Sequence, residues 1–476
     1  MAGYVEGVER GQATLFPDRL EDFVDEHNPV RVVDAFVDAL DLRELGFARA
    51  VPTDMGRPGY HPEMLLKLYV YGYLNRIPSS RRLEREAARN VELMWLTGRL
   101  APDHKTIADF RRSNGQAIRK VCGQFVLLAR KLGLLGDAVV AIDGSKFKAV
   151  NNRDKNFTAA KMARRLAEIE AAIGRYMVEM DESDAAEPAG QTRIEHLQEK
   201  LAALHVHMAE LKVIDEQLQA APEGQISLTD PDARSMNSRG SGIVGYNVQA
   251  AVDAEHHLVI AHDVVTTGSD RAQLSAMSKA AREVIGSDSL EVVADRGYYS
   301  GPEVLACQES GICVHVVKPV TSNAVAEGRF GKGDFNYEAT IDSYRCPAGE
   351  ALTHRSTANE DGQAIRLYWT NHCGACELKT RCTTGNQRRV RRWEPEHVLE
   401  AMAERLARRP ELMRLRRSTV EHVFGTIKGW MGATHFLTRG LENVRTETSL
   451  QVLAFNLKRI MSIVGIAPLM AAIRTA

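Results

Sequence analysis

The stretch Ala138-Val-Val-Ala-Ile-Asp143 decides the fold class, because it is a short apolar run that ends in an acid. Runs of this length and composition are typical of buried β-strands. The segment Glu291-Val-Val-Ala-Asp295 has the same form and also ends in an aspartate. Strand ends at the edge of an α/β sheet usually bind ligands and metals. We therefore predict that Asp143 and Asp295 close two buried strands and face such a crevice.

Further strands and helices surround these two runs. Val244 to Asp253 and His257 to Val265 form a predicted hairpin linked by Ala254-Glu-His, and Val314 to Lys318 is a fifth strand candidate. Helical patterns lie between or after the strands, at Arg271 to Ile285 and at Gly301 to Ser310. The sequence therefore predicts a mixed α/β core.

Composition is that of a globular protein with room for several domains. The chain has 476 residues, of which 44% are hydrophobic and 26% charged. Its first residues lack the basic and then apolar layout of a signal peptide. The apolar stretch from Leu450 to Met470 contains Lys458 and Arg459 and is too short to span a bilayer. We expect a cytoplasmic protein with no membrane partner.

The charge of the chain is near neutral on average but unevenly distributed. The formal net charge is −1, but phosphate binding needs a basic surface and not a basic average. Against five glutamates, the segment from 388 to 417 carries ten arginines: Arg388, Arg389, Arg391, Arg392, Arg405, Arg408, Arg409, Arg414, Arg416 and Arg417. The near-neutral average weakens a DNA-binding interpretation without excluding it.

Residues 1 to 135 have a mainly helical pattern. His61-Pro62-Glu63 opens one predicted helix, Ser79-Ser80 caps another from Arg81 to Leu96, and Asp103 caps a third. The third helix carries Arg111 and Arg112. Short helices with interspersed arginines favour a helix-turn-helix-like DNA-binding domain, and the alternative is a helical bundle with a solvated basic face.

A predicted helical hairpin interrupts the core between Phe157 and Ala221. Apolar residues alternate spacings of four and three in two series, and Asp181 to Gly190 forms a turn between them. The series are Met162, Leu166, Ile169, Ile173, Tyr176 and Met180, followed by Ile194, Leu197, Leu201, Leu204, Met208, Leu211 and Leu218. We expect an antiparallel hairpin with a structural role, and partner binding or dimerisation is the alternative.

A second interruption, residues 331 to 392, contains four of the seven cysteines. Thiolates in a Cys-x2-Cys arrangement with two further cysteines suit a tetrahedral zinc site, and His354 and His372 are alternative ligands. The predicted zinc ligands are Cys346, Cys373, Cys376 and Cys382. We expect a zinc knob that helps to grip DNA through the adjacent Gln387-Arg-Arg-Val-Arg-Arg392. The alternative is ordinary reduced cysteines, as we expect for Cys122, Cys307 and Cys313.

A third acid, Glu421, lies in a helical segment. Arg417 is four residues before it and Lys428 seven residues after it, so all three share one helix face. A surface ion pair between Arg417 and Glu421 is the alternative, and such a pair contributes only a few tenths of a kcal/mol. The other acids of the core, Asp253, Asp263 and Asp270, are expected to be structural.

The three acids lie in segments that resemble the signature motifs of DDE transposases from bacterial insertion sequences. The segments are Ala141-Ile-Asp143-Gly-Ser-Lys, Val293-Ala-Asp295-Arg-Gly-Tyr-Tyr-Ser and Arg417-x3-Glu421-x6-Lys428. The sequence is most similar to the branch numbered eleven-eighty-two, which is related to the group numbered five. Further similar stretches are Arg57-Pro-Gly-Tyr-His-Pro, Gly245-Tyr-Asn-Val-Gln249, Thr419-Val-Glu-His-Val-Phe-Gly425 and Phe436-Leu-Thr-Arg-Gly-Leu441. The third motif usually begins with tyrosine, and this sequence has Arg414 there.

The resemblance implies an RNase H-like core with Asp143 on the first strand, Asp295 after the fourth and Glu421 on a late helix. It implies that the three carboxylates bind two Mg²⁺ or Mn²⁺ ions for phosphoryl transfer. Arg417 and Lys428 would hold phosphates of the DNA. The expected partners are double-stranded DNA, as terminal inverted repeats and target, and a second copy of the chain or more.

The resulting hypothesis is a transposase that cuts and joins the ends of its own element. A nuclease of the same fold without strand transfer, and a DNA-binding regulator derived from a transposase, are the alternatives. The expected organisation is a helical domain at 1–135, a catalytic core at 136–156 and 222–330, a hairpin at 157–221, a cysteine-rich knob at 331–392 and a helical completion of the core at 393–476.

Overall fold

The computed structural model describes residues 19–51, 59–135, 139–184, 191–221, 224–238, 241–319 and 323–475. Three features of the sequence predictions lie outside these residues. They are the first residue of the run that begins at Ala138, Arg57 and Pro58 of one family-like stretch, and the hairpin turn at 185–190.

The N-terminal region is helical. Its helices are α1 (Pro29–Asp38), α2 (Pro62–Leu74), α3 (Ser80–Ala87), α4 (Val91–Thr97), α5 (His104–Ser113) and α6 (Gly115–Lys131). The prediction of one helix from Arg81 to Leu96 is wrong. The side chain of Asn90 accepts a hydrogen bond from the Leu93 backbone N–H, and this cap begins a new helix.

From residue 140 to residue 316 the chain alternates strands and helices. In order they are β1 (Val140–Lys148), β2 (Asn156–Thr158), α7 (Ala159–Asp184), α8 (Gln191–Ala220), β3 (Gln225–Ser227), β4 (Arg234–Ser238), β5 (Ser241–Asp253), β6 (Val259–Val265), α9 (Leu274–Ile285), β7 (Leu290–Ala294), α10 (Gly301–Glu309) and β8 (Ile312–Val316).

The main sheet is mixed. Its order is β4-β5-β1-β7-β8, and β6 pairs with β5 as well. Strand β5 runs antiparallel to β1, β4 and β6, whereas β7 runs parallel to both β1 and β8. The fold is therefore mixed α/β with a helical N-terminal region, as the sequence predicted.

Strand β1 is longer than predicted, so Asp143 does not close it. Residues Gly144 to Lys148 continue the ladder opposite Gln249 to Gly245. The backbones approach closely at Gly245, where a Cβ atom would lie 1.9 Å from the carbonyl oxygen of Phe147. Glycine at 245 thus permits the continued pairing that leaves Asp143 in the interior of the strand.

Helices α7 and α8 form a unit with its own small core. The β2–β3 pair joins the beginning of α7 to the end of α8, so the two helices run antiparallel. Residues of both predicted apolar series pack together. The core residues are Phe157, Met162, Ile169, Ile173, Leu201, Leu211 and Leu218. Because this cluster is separate from the main core, the hairpin is held by its own contacts.

A second sheet, which the sequence patterns did not reveal, fills much of the cysteine-rich region. It is antiparallel, in the order β13-β12-β11-β10-β9. Its elements are β9 (Asn336–Glu338), β10 (Ser343–Arg345), β11 (Ala351–Glu360), β12 (Gln363–Trp369), a short helix α11 (Lys379–Cys382) and β13 (Val390–Trp393). Tyr344, Leu352 and Tyr368 are buried in its core.

Helices complete the chain. They are α12 (Glu396–Arg408), α13 (Leu412–Gly425), a π-helical turn Thr426–Trp430, α14 (Leu441–Val464) and α15 (Ile466–Arg474). Helix α14 packs against α2 and α6 on one side and against β6 on another. The N-terminal helices and the main sheet consequently share one hydrophobic core.

Among the described residues, no single helix is long and apolar enough to cross a membrane. Helices Leu441–Val464 and Ile466–Arg474 meet that test of length and composition only as a pair, and the pair is bent by 111°.

Candidate active site

The register of two parallel strands brings Asp143 and Asp295 together. Ile142 on β1 pairs with Ala294 at the end of β7, and each aspartate follows directly. Neighbouring strands lie about 5 Å apart, so the two aspartate backbones are at the same level on adjacent strands. Asp295 then begins a short 3-10 turn, in which its side chain accepts a hydrogen bond from the Arg296 N–H at 2.8 Å.

Glu421 reaches the same region from helix α13, which packs across β1 and β7. An open cleft of about 710 Å³ has Asp143, Glu421 and Lys428 in its wall. Ser145, Lys146 and Asn237 also line this cleft, and the sequence patterns singled out neither Ser145 nor Asn237. The tertiary structure thus gathers a strand, a helix and a π-helical turn around one acidic cleft.

The Asp143 carboxyl is the most perturbed acid of the cleft. Burial raises its pKa to about 6, although the Arg416 guanidinium and the Gly144 N–H lower it. The negative charges of Asp295 and Asp270 raise the pKa further. Raised carboxylate pKa values in a cleft are typical of sites that bind a cation or perform chemistry.

The arginine that contacts Asp143 is Arg416, which the sequence patterns did not single out; the predicted role of Arg417 toward DNA stays a prediction. The Arg416 Nη1 atom lies 3.0 Å from Asp143 Oδ2 and both side chains are largely buried, whereas Arg417 is exposed. The helical period explains this difference. Arg416 falls in the stripe of α13 that contains the buried Leu412, Thr419, Val420 and Val423. That stripe was readable in the sequence and would have identified Arg416.

Lys428 is fixed against the strand that carries Asp143. Its Nζ atom donates hydrogen bonds to Ser145 Oγ at 2.7 Å and to the Lys146 carbonyl oxygen at 2.8 Å. It also lies over the Phe147 ring, 4.3 Å from the centroid. The π-helical turn that carries Lys428 is a feature often found at functional sites. Lys428 and Glu421 therefore share the cleft, as their spacing predicted.

The donor chemistry of the cleft fits a hard divalent cation. Asp143 and Glu421 in its wall offer carboxylate oxygens, which Mg²⁺ and Mn²⁺ prefer, and Asp295 lies outside the wall, beside Asp143 on the adjacent strand. The three carboxylates do not all lie within 4.8 Å of one another, so a shared ion would draw them together. Among the described residues, the group that meets this distance is Glu291, Cys313 and His315 on β7 and β8.

That second group is not suited to a cation, because an arginine already neutralises its carboxylate. Arg409 donates to both Glu291 oxygens, at 2.6 and 2.8 Å, and His315 Nε2 lies 2.8 Å from one of them. We therefore interpret this group as an ion pair between Glu291 and Arg409, with His315 as a further partner of Glu291.

The four cysteines of the second sheet converge. All line one small enclosed cavity of about 30 Å³, together with apolar residues such as Phe335 and Leu352. The cysteines are Cys346, Cys373, Cys376 and Cys382, and each is half-buried with a free thiol. Burial raises the pKa of the Cys382 thiol, Arg388 lowers it, and the other three thiols raise it further. Thiolates are the donors of a tetrahedral zinc ion, but no three of these sulfur atoms lie within 4.8 Å of one another, so a bound ion would have to draw them closer.

The alternative histidine ligands do not reach this cavity. His372 Nδ1 lies 2.8 Å from a Glu350 oxygen, and His354 Nε2 lies 3.0 Å from Thr357 Oγ1. Both histidines are exposed and neither lines the cavity. The four thiols are therefore the better donor set.

The arginine-rich segment beside the cysteines is partly structural. Arg392 is buried, pairs with Glu400 and lies 3.6 Å from the centroid of the Tyr337 ring. Arg391 pairs with Glu360. Two of the four arginines that we expected to grip DNA thus hold elements of the protein together.

Arg111 in the N-terminal region is also structural. Its Nη1 donates to the Tyr73 hydroxyl at 3.2 Å, and the guanidinium lies over the Tyr69 ring. Arg112 is exposed beside Asp109. A cluster of three exposed arginines in this region lies on α3, at Arg81, Arg82 and Arg85.

Two protein-family models match the chain. One, described as "Transposase domain (DUF772)", matches residues 18–113, and another, described as "Transposase DDE domain", matches residues 345–461. The chain therefore contains two regions that match transposase domains, and these matches support a DNA transposase. A DDE domain supports cleavage and transfer of DNA strands that depends on divalent metal ions. The second match contains Glu421, Lys428 and the four cysteines, while Asp143 and Asp295 lie outside both matches.

One solved structure is weakly similar to this chain. It is the cryo-EM structure of a piggyBac transposase synaptic complex with hairpin DNA, with a TM-score of 0.32 and 8% identity. The alignment covers 95% of this chain and 79% of that chain, and its score is too low to establish a shared fold. No curated protein matches the chain.

Proposed function

We propose that the transposase cuts and joins the ends of a bacterial insertion sequence with the triad Asp143, Asp295 and Glu421. The observation that supports the proposal is the placement of these three acids around one part of the main sheet. The two aspartates are in register on adjacent parallel strands, and Glu421 lines the cleft over the first of them.

We further propose that the catalytic core is RNase H-like. The spatial order β6-β5-β1-β7-β8, with the first three strands antiparallel and the last three parallel, supports this assignment. In chain order, Asp143 is then on the first of these five strands, Asp295 directly follows the fourth, and Glu421 is on a later helix. The resemblance to transposases of insertion sequences implies the same three positions.

The metals proposed for this cleft are Mg²⁺ or Mn²⁺. When bound, two such ions would activate the attacking water or DNA 3′-hydroxyl and stabilise the leaving oxygen. The chain's own residues would then act around them. Asp143, Asp295 and Glu421 would bind the ions. Lys428, which donates a hydrogen bond to Ser145, would place a fixed positive charge near a DNA phosphate. Arg417 is exposed on α13, the helix that also carries Glu421, and would contact the phosphate backbone of DNA.

A structural zinc ion is proposed for Cys346, Cys373, Cys376 and Cys382. The four thiols are free and line one cavity, which supports thiolate ligation. Its role would be to hold the loops that follow β10 and β12 on the second sheet.

The proposed partners are the terminal inverted repeats and the target DNA, with a dimer or higher assembly when two ends are paired. The proposed branch is the insertion-sequence family numbered eleven-eighty-two, and the proposed location is the cytoplasm, on the nucleoid. The exposed arginines Arg81, Arg82 and Arg85 on α3 make the helical N-terminal region a candidate DNA surface.

The test is cleavage and joining of labelled DNA that carries the element ends, with Mg²⁺ or Mn²⁺. We expect wild type to cut and join, and Asp143→Asn, Asp295→Asn and Glu421→Gln to bind DNA but do neither. Asp263→Asn is the matched control, because Asp263 lies on the same sheet but pairs with Arg445 outside the cleft.

Other outcomes have definite meanings. Full activity in one of the three variants means that its carboxylate is misassigned. Cleavage without joining by wild type would make the protein a nuclease, and binding without cleavage would make it a regulator.

A further inference from the structure

A fourth carboxylate, Asp270, lies against Gly144, which lines the cleft, although its sequence context suggested only a structural role. Its Oδ1 atom accepts hydrogen bonds from Asn247 Nδ2 at 2.7 Å and from Gln249 Nε2 at 2.8 Å. Both amide side chains belong to β5 and are fully buried. Buried donors that converge on one oxygen hold that carboxylate in a single orientation.

Asp270 packs directly against the residue that follows Asp143. A Cβ atom at Gly144 would lie 2.5 Å from Asp270 Oδ1 and 2.4 Å from Gln249 Nε2. No side chain larger than hydrogen fits there unless this polar cluster moves. The carboxylate therefore touches β1 at the position of the first metal-binding candidate.

Asp270 is also connected to the turn that carries Asp295. The Tyr298 hydroxyl donates to Gln249 Oε1, and the other end of the same amide donates to Asp270. A Cβ atom at Gly297 would lie 3.8 Å from Asp270 Oδ2. Tyr298 is buried, so this chain of hydrogen bonds links the Asp295 turn to Asp270 within the protein.

The charges around Asp143 explain why a fourth acid is useful. Three cations lie close to the cleft. Arg416 forms an ion pair with Asp143, and Lys428 donates a hydrogen bond to Ser145. The third is Lys146, whose Nζ lies 3.9 Å from Asp270 Oδ2. The three acids of the triad alone would only balance these cations. With Asp270 included, Lys146 has its own counterion and the cleft keeps a net negative charge.

We propose that Asp270 is a positioning residue, which fixes the Asp295 turn against β1 and neutralises Lys146 so that the cleft attracts divalent ions. This inference rests on the proposed function of the triad.

The test is Mn²⁺ binding in the full-length protein without DNA, followed by electron paramagnetic resonance of free and bound Mn²⁺. Asp270→Asn keeps an oxygen that accepts from Asn247 and Gln249 but removes the charge. We expect its Mn²⁺ affinity to fall about tenfold, the effect of one unit charge near a divalent ion through a high dielectric. Asp270→Ala, which also removes the acceptor, should weaken binding further.

Controls separate this inference from the triad assignment. Asp263→Asn should bind Mn²⁺ like wild type, because its charge is paired with Arg445 away from the cleft. Thermal melting of Asp270→Asn close to that of wild type would show that the variant is folded.

Two results would overturn the inference in distinguishable ways. If Asp143→Asn loses Mn²⁺ while Asp270→Asn binds it with wild-type affinity, Asp270 has no role at the metal site and the triad stands. If Asp143→Asn binds Mn²⁺ as wild type does, the proposed metal site is itself wrong and the role of Asp270 falls with it.

Discussion

A single ion pair, between Asp143 and Arg416, compensates the buried charge of the cleft in the ion-free protein. The guanidinium compensates a largely buried carboxylate, whose pKa would otherwise be raised further by burial and by neighbouring acids. A divalent ion offers the same carboxylate stronger compensation. Arg416 is therefore the counterion of Asp143 in this structure, and in the proposed metal-bound state it would become available to a DNA phosphate.

Replacing Arg416 should destabilise the ion-free protein. Arg416→Gln leaves Asp143 without its partner, and we expect a loss of about 2 kcal/mol in the free energy of unfolding. Mn²⁺ should then raise the melting temperature of Arg416→Gln more than that of wild type. Arg417→Gln is the control, because Arg417 is exposed, and it should change neither value. Equal Mn²⁺ responses in wild type and Arg416→Gln would contradict this account.

His262 predicts how stability depends on pH. Burial lowers the pKa of His262 to about 4, and its Nε2 lies 2.8 Å from Ser449 Oγ on α14. In the unfolded chain the pKa of histidine is about 6.5. Between these values the unfolded state binds the extra proton, so stability is full above about pH 6.5 and falls as the pH is lowered towards 4.

The measurement is denaturant unfolding between pH 7.5 and about pH 4. His262 should account for a loss of up to about 3 kcal/mol over this window. His262→Gln removes that part of the pH dependence, while His372→Gln, which changes an exposed histidine of the second sheet, should not. An unchanged pH dependence in His262→Gln would contradict the assigned cause.

At the scale of elements, the second sheet depends on what holds its loops. Its apolar core is small, with Tyr344, Leu352, Tyr368, Phe335 and Val390 buried. The four thiols lie beside this core and would join the loop after β10 to the segment that includes α11. Small units of this size usually need a metal or a disulfide to remain folded.

Zinc loss should therefore unfold this sheet before the rest of the molecule. We expect about one zinc per chain in wild type by elemental analysis, and none in the double variant Cys373→Ser, Cys376→Ser. Hydrogen exchange in β10 to β12 should become faster in that variant, while exchange in β1 and β5 stays slow. Cys313→Ser is the matched control, since Cys313 lies on β8. Wild-type protein that contains no zinc would refute the site.

The whole molecule has one large core and a separately held hairpin. Helix α14 joins the N-terminal helices to the main sheet, and its side chains from Val444 to Ile460 are mostly buried. The α7–α8 hairpin instead buries its apolar residues within its own cluster. Regions that share a core unfold together, and separately held ones open at lower free energy.

Two leucine substitutions test this division. Leu453→Ala in α14 should cost about 2–5 kcal/mol and lower protection from hydrogen exchange in both α6 and β5. Leu211→Ala in α8 should lower protection only in α7 and α8. Both leucines are buried, at 1% and 2% exposure, so the two changes are comparable in chemistry. Separate unfolding of α6 and β5 in Leu453→Ala would contradict the shared core.

The sequence alone determined the elements whose pattern is local. Apolar runs located the strands that carry Asp143 and Asp295, heptad spacing located α7 and α8, and side-chain caps located α2 and α5. It also grouped Glu421 with Lys428, because helical spacing is a local property. The second sheet escaped notice because its two longest strands, β11 and β12, are mostly exposed or half-buried, so they show no clear apolar alternation.

Only the tertiary structure decided which distant residues meet. Pairing of β1 with β5 extended the strand past Asp143, and the packing of α13 on β1 selected Arg416 over its neighbour. Asp270 joined the site through amides of β5, more than twenty residues away along the chain. Periodicity reports which side of an element is buried, but the partner on that side is fixed by long-range packing, which no local pattern encodes.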